Sequence, residues 1–412
     1  MTQREDLERL MQQHPRAVRR VSRRELLRRM GMGAGAVSIT ALLAACGIEG
    51  AEERAQENGG GKDTLTTNEQ TGRLNFANWP AYIDKKQGDS PTLQMFTEAT
   101  GIEVNYQTAI NDNVSFFSTI QEPLSQGDAV EWDLIVVTDW LVAKMIRLGY
   151  LEQIDLSRLP NFEENAGDIY KDPSYDPGNK HSVPWQSGIT GLAYNISLTG
   201  REITSTEDLF TDEFAGRVGM FTEMRDTMTL VMLGMGIDPQ EATVDDARAA
   251  QEKLLEQKED GIVRAYYGND YLQPLEQESL ALTIAWSGDV VGAEITNPDI
   301  RFVVPDEGGV LWVDNMCIPQ NAANPIDAME MMNFVYDPEI AAQMTAWINY
   351  ICPVPEAQEI LGNADDAYTR KVADSPLVFP TPEMQARLHH YKNLSQEEEE
   401  IWDDLFQEVV QG

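Results

Sequence analysis

The chain has 412 residues, 42% of them hydrophobic, and carries 68 Asp and Glu against 31 Lys and Arg, a formal charge of −37. This composition supports a large core, so it excludes a wholly disordered acidic protein, and the length suggests two or three domain-sized units. The charge argues against nucleic acid and anionic membrane surfaces as partners, because both require Lys and Arg.

The first 45 residues differ from the rest of the chain in charge and hydropathy. They contain nine Arg and four acidic residues, and SRRELLR (22–28) resembles a twin-arginine export signal. The uncharged run that follows, from Met30 to Ala45, is shorter than the roughly 20 apolar residues needed to cross a bilayer. We therefore interpret residues 1–45 as a removable signal peptide and not as a transmembrane helix.

A lipidation motif and a tether follow the signal. LAAC (43–46) resembles a lipobox, whose cysteine is acylated and becomes the first residue, so we predict lipidation at Cys46. An ordinary signal peptide with an incidental cysteine is the alternative. Residues 46–73 are polar, which suits a flexible tether between lipid and folded body. The sequence thus predicts an exported prokaryotic lipoprotein, periplasmic or at the cell surface, held to the membrane by its lipid alone.

From residue 74 the chain alternates strand-like and helix-like segments, a pattern typical of α/β proteins. The predicted strands are 74–79, 102–106, 132–137, 218–221, 280–286, 301–304 and 310–317. The predicted helices are 91–100, 140–148, 227–235, 245–257, 326–336, 339–348 and 397–410. Since the body contains no repeat and no long linker, we expect two α/β lobes with close chain crossings.

Motifs of catalysis and metal binding are missing from the sequence. There is no HExxH spacing and no GxSxG elbow, so we predict no catalytic residue, no metal site and no cofactor. An exported hydrolase that uses two carboxylates remains an alternative from another functional class. Cys317 and Cys352 could form a disulfide or remain free thiols.

Aromatic residues stand beside carboxylates where predicted strands end. Trp79 and Tyr82 close the first strand, and Trp140 follows the end of a buried one. WSGD (286–289) ends another strand, and WVD (312–314) lies in another. In open α/β sheets, ligands bind beyond the carboxyl ends of the strands. Aromatic faces attract organic ammonium groups, and carboxylates neutralise them. A single such pair is more often core packing, but four of them indicate a site for an organic cation.

These segments resemble the polyamine-binding proteins, the spermidine/putrescine receptors of ABC importers. The resemblance runs in order from residue 74 to about 355. The matching segments are NFANWPAYID (75–84), FTEATGIEV (96–104), WDLIVVTDWLVAKM (132–145), GITGLAYN (188–195), FTEMRDTM (221–228), AWSGD (285–289) and EGGVLWVDNMCIP (307–319).

The resemblance implies a type II periplasmic-binding-protein fold, with a ligand cleft between two α/β lobes joined by hinge strands. Residues 74–187 and about 310–355 would form lobe 1, and residues 188–309 and about 356–412 would form lobe 2. It also implies a monomer that performs no chemistry, binds putrescine or spermidine and delivers it to the permease subunits of an ABC transporter.

The resemblance also assigns residues to the cleft by matched position. Thr138 would hold an amine by its hydroxyl, Asp314 would be the central acid, and Tyr350 would line the cleft. Glu223 and Asp226 would grip amino groups, while Asp289 is typical of the putrescine-preferring branch. The aromatic box would comprise Trp79, Tyr82, Trp140, Trp286 and Trp312.

The sequence departs from the family pattern in two places. Pro80 and Ala81 stand where a hydroxyl residue and an acid are usual, and the polar residue expected near His389-His390-Tyr391 is not recognisable. Losing one charge-assisted hydrogen bond could weaken amine binding by roughly 1.5–3 kcal/mol or change the preferred amine. Another small organic cation or an amino-acid-like solute is therefore an alternative ligand.

The adjacent tyrosines Tyr266 and Tyr267 suggest a further alternative, because ferric-ion carriers use neighbouring tyrosinates as ligands. Aromatic residues in a strand or a turn are the simpler interpretation of this pair.

Overall fold

The computed structural model describes residues 68–411, which form one mixed sheet covered by helices. The signal peptide, Cys46 and most of the predicted tether lie outside these residues. In chain order the strands are β1 (Arg73–Ala77), β2 (Glu103–Gln107), β3 (Leu134–Thr138), β4 (Ser182–Asn195), β5 (Val218–Phe221), β6 (Val263–Tyr267), β7 (Leu282–Trp286), β8 (Ile300–Val303), β9 (Gly309–Cys317) and β10 (Leu388–His389).

Helices cover the sheet and connect its strands. They are α1 (Pro91–Thr100), α2 (Asn113–Gln126), α3 (Asp139–Leu148), α4 (Pro160–Asn165), α5 (Ile196–Thr199), α6 (Met224–Gly234), α7 (Val244–Glu259), α8 (Leu272–Glu276), α9 (Ser287–Thr296), α10 (Pro325–Phe334), α11 (Pro338–Ile348), α12 (Ala357–Gly362), α13 (Ala367–Asp374), α14 (Pro382–Gln385) and α15 (Gln396–Gln411). No helix within residues 68–411 combines the length and apolar composition that crossing a membrane requires.

Local sequence signals set the ends of several helices. Before α1, the Ser90 hydroxyl accepts a hydrogen bond from the backbone N–H of Leu93, and Pro91 occupies the first turn, where no N–H is needed. Helix α1 ends at Gly101, whose φ of 76° lies in the left-handed region that glycine adopts without strain. The predicted bounds of this helix are therefore confirmed.

Two adjacent antiparallel strands, β9 and β4, form the middle of the sheet. The strand order is β2-β1-β3-β9-β4-β7-β5-β6, with β8 beside β4 and β10 beside β9. β1 and β5 pair with their neighbours in parallel. β9 runs antiparallel to β3, β4 runs antiparallel to β7, and β9 and β4 run antiparallel to each other. β9 and β4 thus join a parallel group on one side to a parallel group on the other.

The buried hydrophobic side chains form two large clusters. One draws mainly on residues 74–185 and 310–391, and the other mainly on residues 192–300 with 394–409. A small third cluster consists of Ile189, Val304, Leu311 and Ile351, of which Ile189 and Leu311 are paired residues of β4 and β9. Residues 357–378 pack in the first cluster, although the sequence analysis assigned them to lobe 2. The predicted lobe boundaries stay a prediction.

Candidate functional site

Four adjacent strands, β3, β9, β4 and β7, bring the predicted site residues to the centre of the sheet. Thr138, the last residue of β3, pairs with Asp314 of β9, and Trp312 of β9 pairs with Gly188 of β4. Trp286 ends β7. Because side chains alternate along a strand, Asp314 and Trp312 point to the same face of the sheet.

Two hydroxyl groups hold the Asp314 carboxylate. Thr138 donates a hydrogen bond to Oδ1 at 2.7 Å, and Tyr82 donates one to Oδ2 at 2.8 Å. The Asn113 amide donates in turn to the Thr138 hydroxyl at 2.8 Å. Burial raises the pKa of Asp314 to about 6, against the effect of these hydrogen bonds. Within residues 68–411, no Lys, Arg or His forms an ion pair with this carboxylate.

Aromatic rings line the space beside Asp314. The Tyr350 ring lies 5.3 Å from that of Trp312 and 5.8 Å from that of Tyr82, measured between centroids. Two glycines make room for them. A Cβ on Gly188 would lie 2.2 Å from Cζ2 of Trp312, and one on Gly288 would lie 2.5 Å from Cγ of Tyr350. The positions of both rings therefore depend on neighbouring residues without side chains.

Because Gly188 leaves room for the Trp312 ring, Gly188→Ala tests whether that ring has a fixed position. We expect the added methyl group to displace the Trp312 ring, lowering the melting temperature of the ligand-free protein because overpacking costs about 1–3 kcal/mol. Gly292→Ala in α9 is the matched control, since no neighbouring atom lies within 4 Å of its Cβ position. The helical control should stabilise by about 0.5–1 kcal/mol. Equal melting temperatures for Gly188→Ala and the wild-type protein would show that the ring has no fixed place.

Asp226 supplies a second buried carboxylate, next to Thr190 of β4. Asp226 of α6 accepts hydrogen bonds at Oδ1 from the hydroxyls of Thr190 in β4 and Tyr391, the latter at 2.7 Å. Burial raises its pKa to about 6, whereas these hydrogen bonds and one from the Trp286 side chain lower it. Tyr391 follows β10, so the C-terminal part of the chain contributes to the site.

Glu223, just before α6, adds a third acid. Burial, followed by repulsion from Asp226, raises the pKa of Glu223 to about 8. At neutral pH the two acids therefore resist ionising together, an effect that the positive charge of Arg225 partly offsets.

Trp286 of β7 packs against two other aromatic rings, those of Phe221 and Tyr271. Its ring lies 4.4 Å from that of Phe221 and 5.7 Å from that of Tyr271 between centroids. The Tyr271 hydroxyl donates a hydrogen bond to Oδ2 of Asp289 at 3.1 Å. Asp289 thus joins the site through a tyrosine that the sequence analysis did not select.

Trp79 and Trp140 lie on the β1 and β3 side. Trp79 donates its indole N–H to the backbone oxygen of Val136 in β3 at 2.9 Å. Over the Trp140 ring, 5.0 Å from its centroid, lies the guanidinium carbon of Arg225, a residue of α6 on the opposite side. The two sides of the molecule therefore meet at Trp140.

The structure thus links the predicted residues in groups. Hydrogen bonds join Tyr82, Thr138 and Asp314, and ring contacts add Trp312 and Tyr350. Asp226, Glu223, Trp286 and Asp289 lie on the β7 and β5 side, opposite Trp79 and Trp140. The role of all the predicted site residues in ligand binding stays a prediction. The structure adds residues that the sequence analysis did not select, namely Asn113, Asp139, Gly188, Thr190, Arg225, Tyr271, Gly288 and Tyr391.

Asp139 is one of the buried residues in this additional set. Its carboxylate accepts hydrogen bonds from the backbone N–H groups of Trp140 at 2.7 Å and Val313 at 3.3 Å. Burial raises the pKa of Asp139 to about 8. The Asp139 carboxylate thus ties the start of α3 to β9, the strand that carries Trp312 and Asp314.

The fold and the sequence match a known protein family. The family model described as bacterial extracellular solute-binding protein matches residues 92–379. The chain belongs to this family. Its members' two-lobe fold accounts for the parallel groups of strands on either side of β4 and β9.

Individual solute-binding proteins resemble the chain over most of its length. The spermidine/putrescine-binding periplasmic protein 1 of Haemophilus influenzae is 27% identical over 353 residues, 85% of this chain and 90% of that protein. The Escherichia coli spermidine/putrescine-binding periplasmic protein is 26% identical over 340 residues, 82% and 92% of the two chains. A solved putative spermidine/putrescine ABC transporter protein from Listeria monocytogenes superposes with a TM-score of 0.72 at 27% identity, covering 82% and 99%.

These similarities confirm the resemblance and the two-lobe α/β fold predicted from the sequence. The relatives are solute-binding proteins of transport systems and not enzymes. The two departures from the family pattern have different outcomes. Pro80 and Ala81 are exposed and carry no charge, and Ala81 has a φ of 58°. By contrast, Tyr391 supplies a polar group near the C-terminus through its contact with Asp226.

The remaining alternatives concern metals and cysteines. Within residues 68–411, no three His, Cys, Asp or Glu residues are grouped to hold a metal ion. Tyr266 packs edge-on against Phe406 of α15, and burial raises its pKa, which opposes the tyrosinate form that iron requires. Cys317 and Cys352 are buried free thiols, and burial raises the pKa of both.

Proposed function

We propose that the protein is the extracytoplasmic substrate-binding lipoprotein of an ABC importer, and that it binds putrescine or spermidine between its lobes. The observation that carries this proposal is the Asp314 carboxylate. It is buried, held by two hydroxyl donors, adjacent to the Trp312 and Tyr350 rings, and without an ion-pair partner within residues 68–411. A protonated amine supplies the missing charge, and the rings contact its methylene groups and attract its charge.

The positions on β9 that lie nearest the two acids favour an elongated ligand. Thr190, which holds Asp226, pairs with Val310 of β9, four positions before Asp314. At about 3.3 Å per residue, the two strand positions lie roughly 13 Å apart, with Trp312 between them. A linear di- or triamine places its ammonium groups towards both acids and its hydrocarbon on the indole. The neutral residues after Trp79 favour a ligand without a cationic group at that end.

The route of export and the membrane anchor are proposed from the sequence. The twin-arginine signal and the acylated Cys46 would deliver a folded, tethered protein to the outside of the cytoplasmic membrane. There it would pass its polyamine to permease subunits without altering it.

A thermal-shift screen tests the ligand. We expect putrescine or spermidine to raise the melting temperature of the mature protein, because a ligand bound to the folded state stabilises it by RT ln(1 + [L]/Kd). γ-Aminobutyrate is the matched comparison, since it retains the four-carbon chain and replaces one ammonium group by a carboxylate. Stabilisation by neither amine would contradict the proposal.

An amino-acid-like solute is the second candidate, and one observation favours it. The indole N–H of Trp312 is buried and has no hydrogen-bond partner in the described part of the chain. A ligand with an acceptor atom as well as an ammonium group would satisfy it. A larger thermal shift with γ-aminobutyrate than with putrescine would select this candidate.

A further inference from the structure

One carboxylate outside the predicted ligand site connects the helices on its two sides. Glu399 of α15 is buried, and its Oε1 lies 3.1 Å from Nζ of Lys144 and 3.4 Å from Nη2 of Arg225. Its Oε2 lies 3.2 Å from Nη2 of Arg147. Three cations therefore surround a single acidic side chain.

The three cations come from the helices that carry site residues. Lys144 and Arg147 belong to α3, which begins at the end of β3 and includes Trp140 in its first turn. Arg225 belongs to α6 and stands between Glu223 and Asp226 in the sequence. Glu399 consequently joins a helix from the β3 side of the site to a helix from the β5 side.

Arg225 is the critical member of this group. Its side chain is 6% exposed, and its guanidinium lies 5.0 Å over the Trp140 ring. Its Nη1 also donates to the backbone oxygen of Lys392 at 3.3 Å. A guanidinium in this position stacks on an indole and pairs with a carboxylate at once.

The surroundings of Arg225 explain why it needs a partner outside the site. Glu223 and Asp226 are its sequence neighbours, and a guanidinium turned towards them would compete with a cationic ligand for the same acids. The attraction of Glu399 and Asp403 helps to keep Arg225 charged despite its burial, which lowers its pKa. Glu399 and Asp403 thus attract the guanidinium more strongly than Glu223 does, and Glu399 also pairs with it directly.

We propose that Glu399 is a positioning residue for the ligand site: it holds Arg225 against Trp140 and so fixes the spacing between α3 and α6. The inference rests on the proposed function, because it assigns these helices to opposite walls of the ligand cleft. Lys144 and Arg147 are more exposed than Arg225, so they contribute less to the contact.

The first test compares Glu399→Gln with Glu400→Gln in the mature protein. Glu400 is exposed one position further along α15, where it accepts a hydrogen bond from the Gln396 amide. We expect Glu399→Gln to raise the Kd for putrescine about 10-fold or more through faster dissociation, with Glu400→Gln at the wild-type value. Glu399→Asp, which retains the charge, should recover a large part of the loss.

A double variant separates positioning from general destabilisation. If Glu399 acts by holding the Arg225 charge, Arg225→Gln/Glu399→Gln should bind putrescine within about 3-fold of Arg225→Gln alone. Fully additive losses would overturn the proposal, because they would indicate two unrelated structural effects.

Hydrogen exchange of the ligand-free protein tests the inference even if no amine binds. Glu399→Gln should accelerate amide exchange in α3 and α6, while β2 at the far edge of the sheet exchanges as before. Unchanged exchange in both helices would overturn the proposal. If the wild-type protein binds no amine, the proposed function fails, and this exchange experiment alone decides the role of Glu399.

Discussion

Asp314→Asn is expected to lower the affinity for putrescine or spermidine by about 30-fold or more, because removing one partner of a buried, hydrogen-bonded charge pair costs 2–5 kcal/mol. Tyr82 and Thr138 now donate to opposite oxygens of this carboxylate, so both are oriented towards its negative charge. Asparagine retains the shape and one acceptor but loses the charge that meets the ammonium group. Isothermal titration calorimetry measures the change in Kd directly.

The stability of the same variant separates lost binding from lost folding. Since burial raises the pKa of Asp314 to about 6, its ionised form destabilises the ligand-free fold at neutral pH. Asp314→Asn should therefore melt no lower than the wild-type protein without ligand, while losing the ligand-induced shift. Asp306→Asn is the control, because Asp306 is exposed in the loop before β9. Wild-type affinity in Asp314→Asn would remove Asp314 from the site.

The sequence predicted well those elements whose pattern is local. β3 is a continuous apolar run and is buried at every position, and α1 has a serine cap and a terminal glycine. In these cases, neighbouring residues alone contain the structural signal.

β4 shows where a local pattern is insufficient. Its 14 residues include Pro184, Gly188 and Gly191, which normally weaken a strand, and the predicted strands include none here. All 14 are nevertheless buried, because β4 pairs with β9 along its first part and with β7 along its second. Gly188 is needed for a distant reason, the clearance of the Trp312 ring.

Tyr391 is a residue of the candidate site whose position a local sequence pattern likewise cannot predict. The segment around it contains no strand-end motif, and its contact with Asp226 spans 165 positions of sequence. The contact arises because β10 pairs with the start of β9, where His389 lies opposite Val310. A position of this kind is visible only once the pairing of two distant segments is known.

The pH dependence of stability should reflect the buried acids whose pKa values are raised, and three acids of the candidate site are among them. Carboxyl groups in an unfolded chain ionise near pH 4. In the folded, ligand-free protein, Asp314 and Asp226 have pKa values of about 6, and Glu223 one of about 8. Between these values the folded state binds more protons than the unfolded state, so the free energy of unfolding falls as the pH rises. The ligand-free melting temperature should therefore be higher near about pH 5 than near about pH 8.

Putrescine should act in the opposite direction, because its ammonium groups favour the ionised acids and lower their pKa values. The ligand-induced rise in melting temperature should be larger near about pH 8 than near about pH 5, and binding near about pH 6.5 should release protons. Calorimetry in buffers of different ionisation enthalpy measures that release. Asp226→Asn should reduce it, whereas Asp306→Asn should leave it intact, which separates the site from the overall charge of −37. A ligand-induced shift independent of pH would mean that these acids do not meet the ligand.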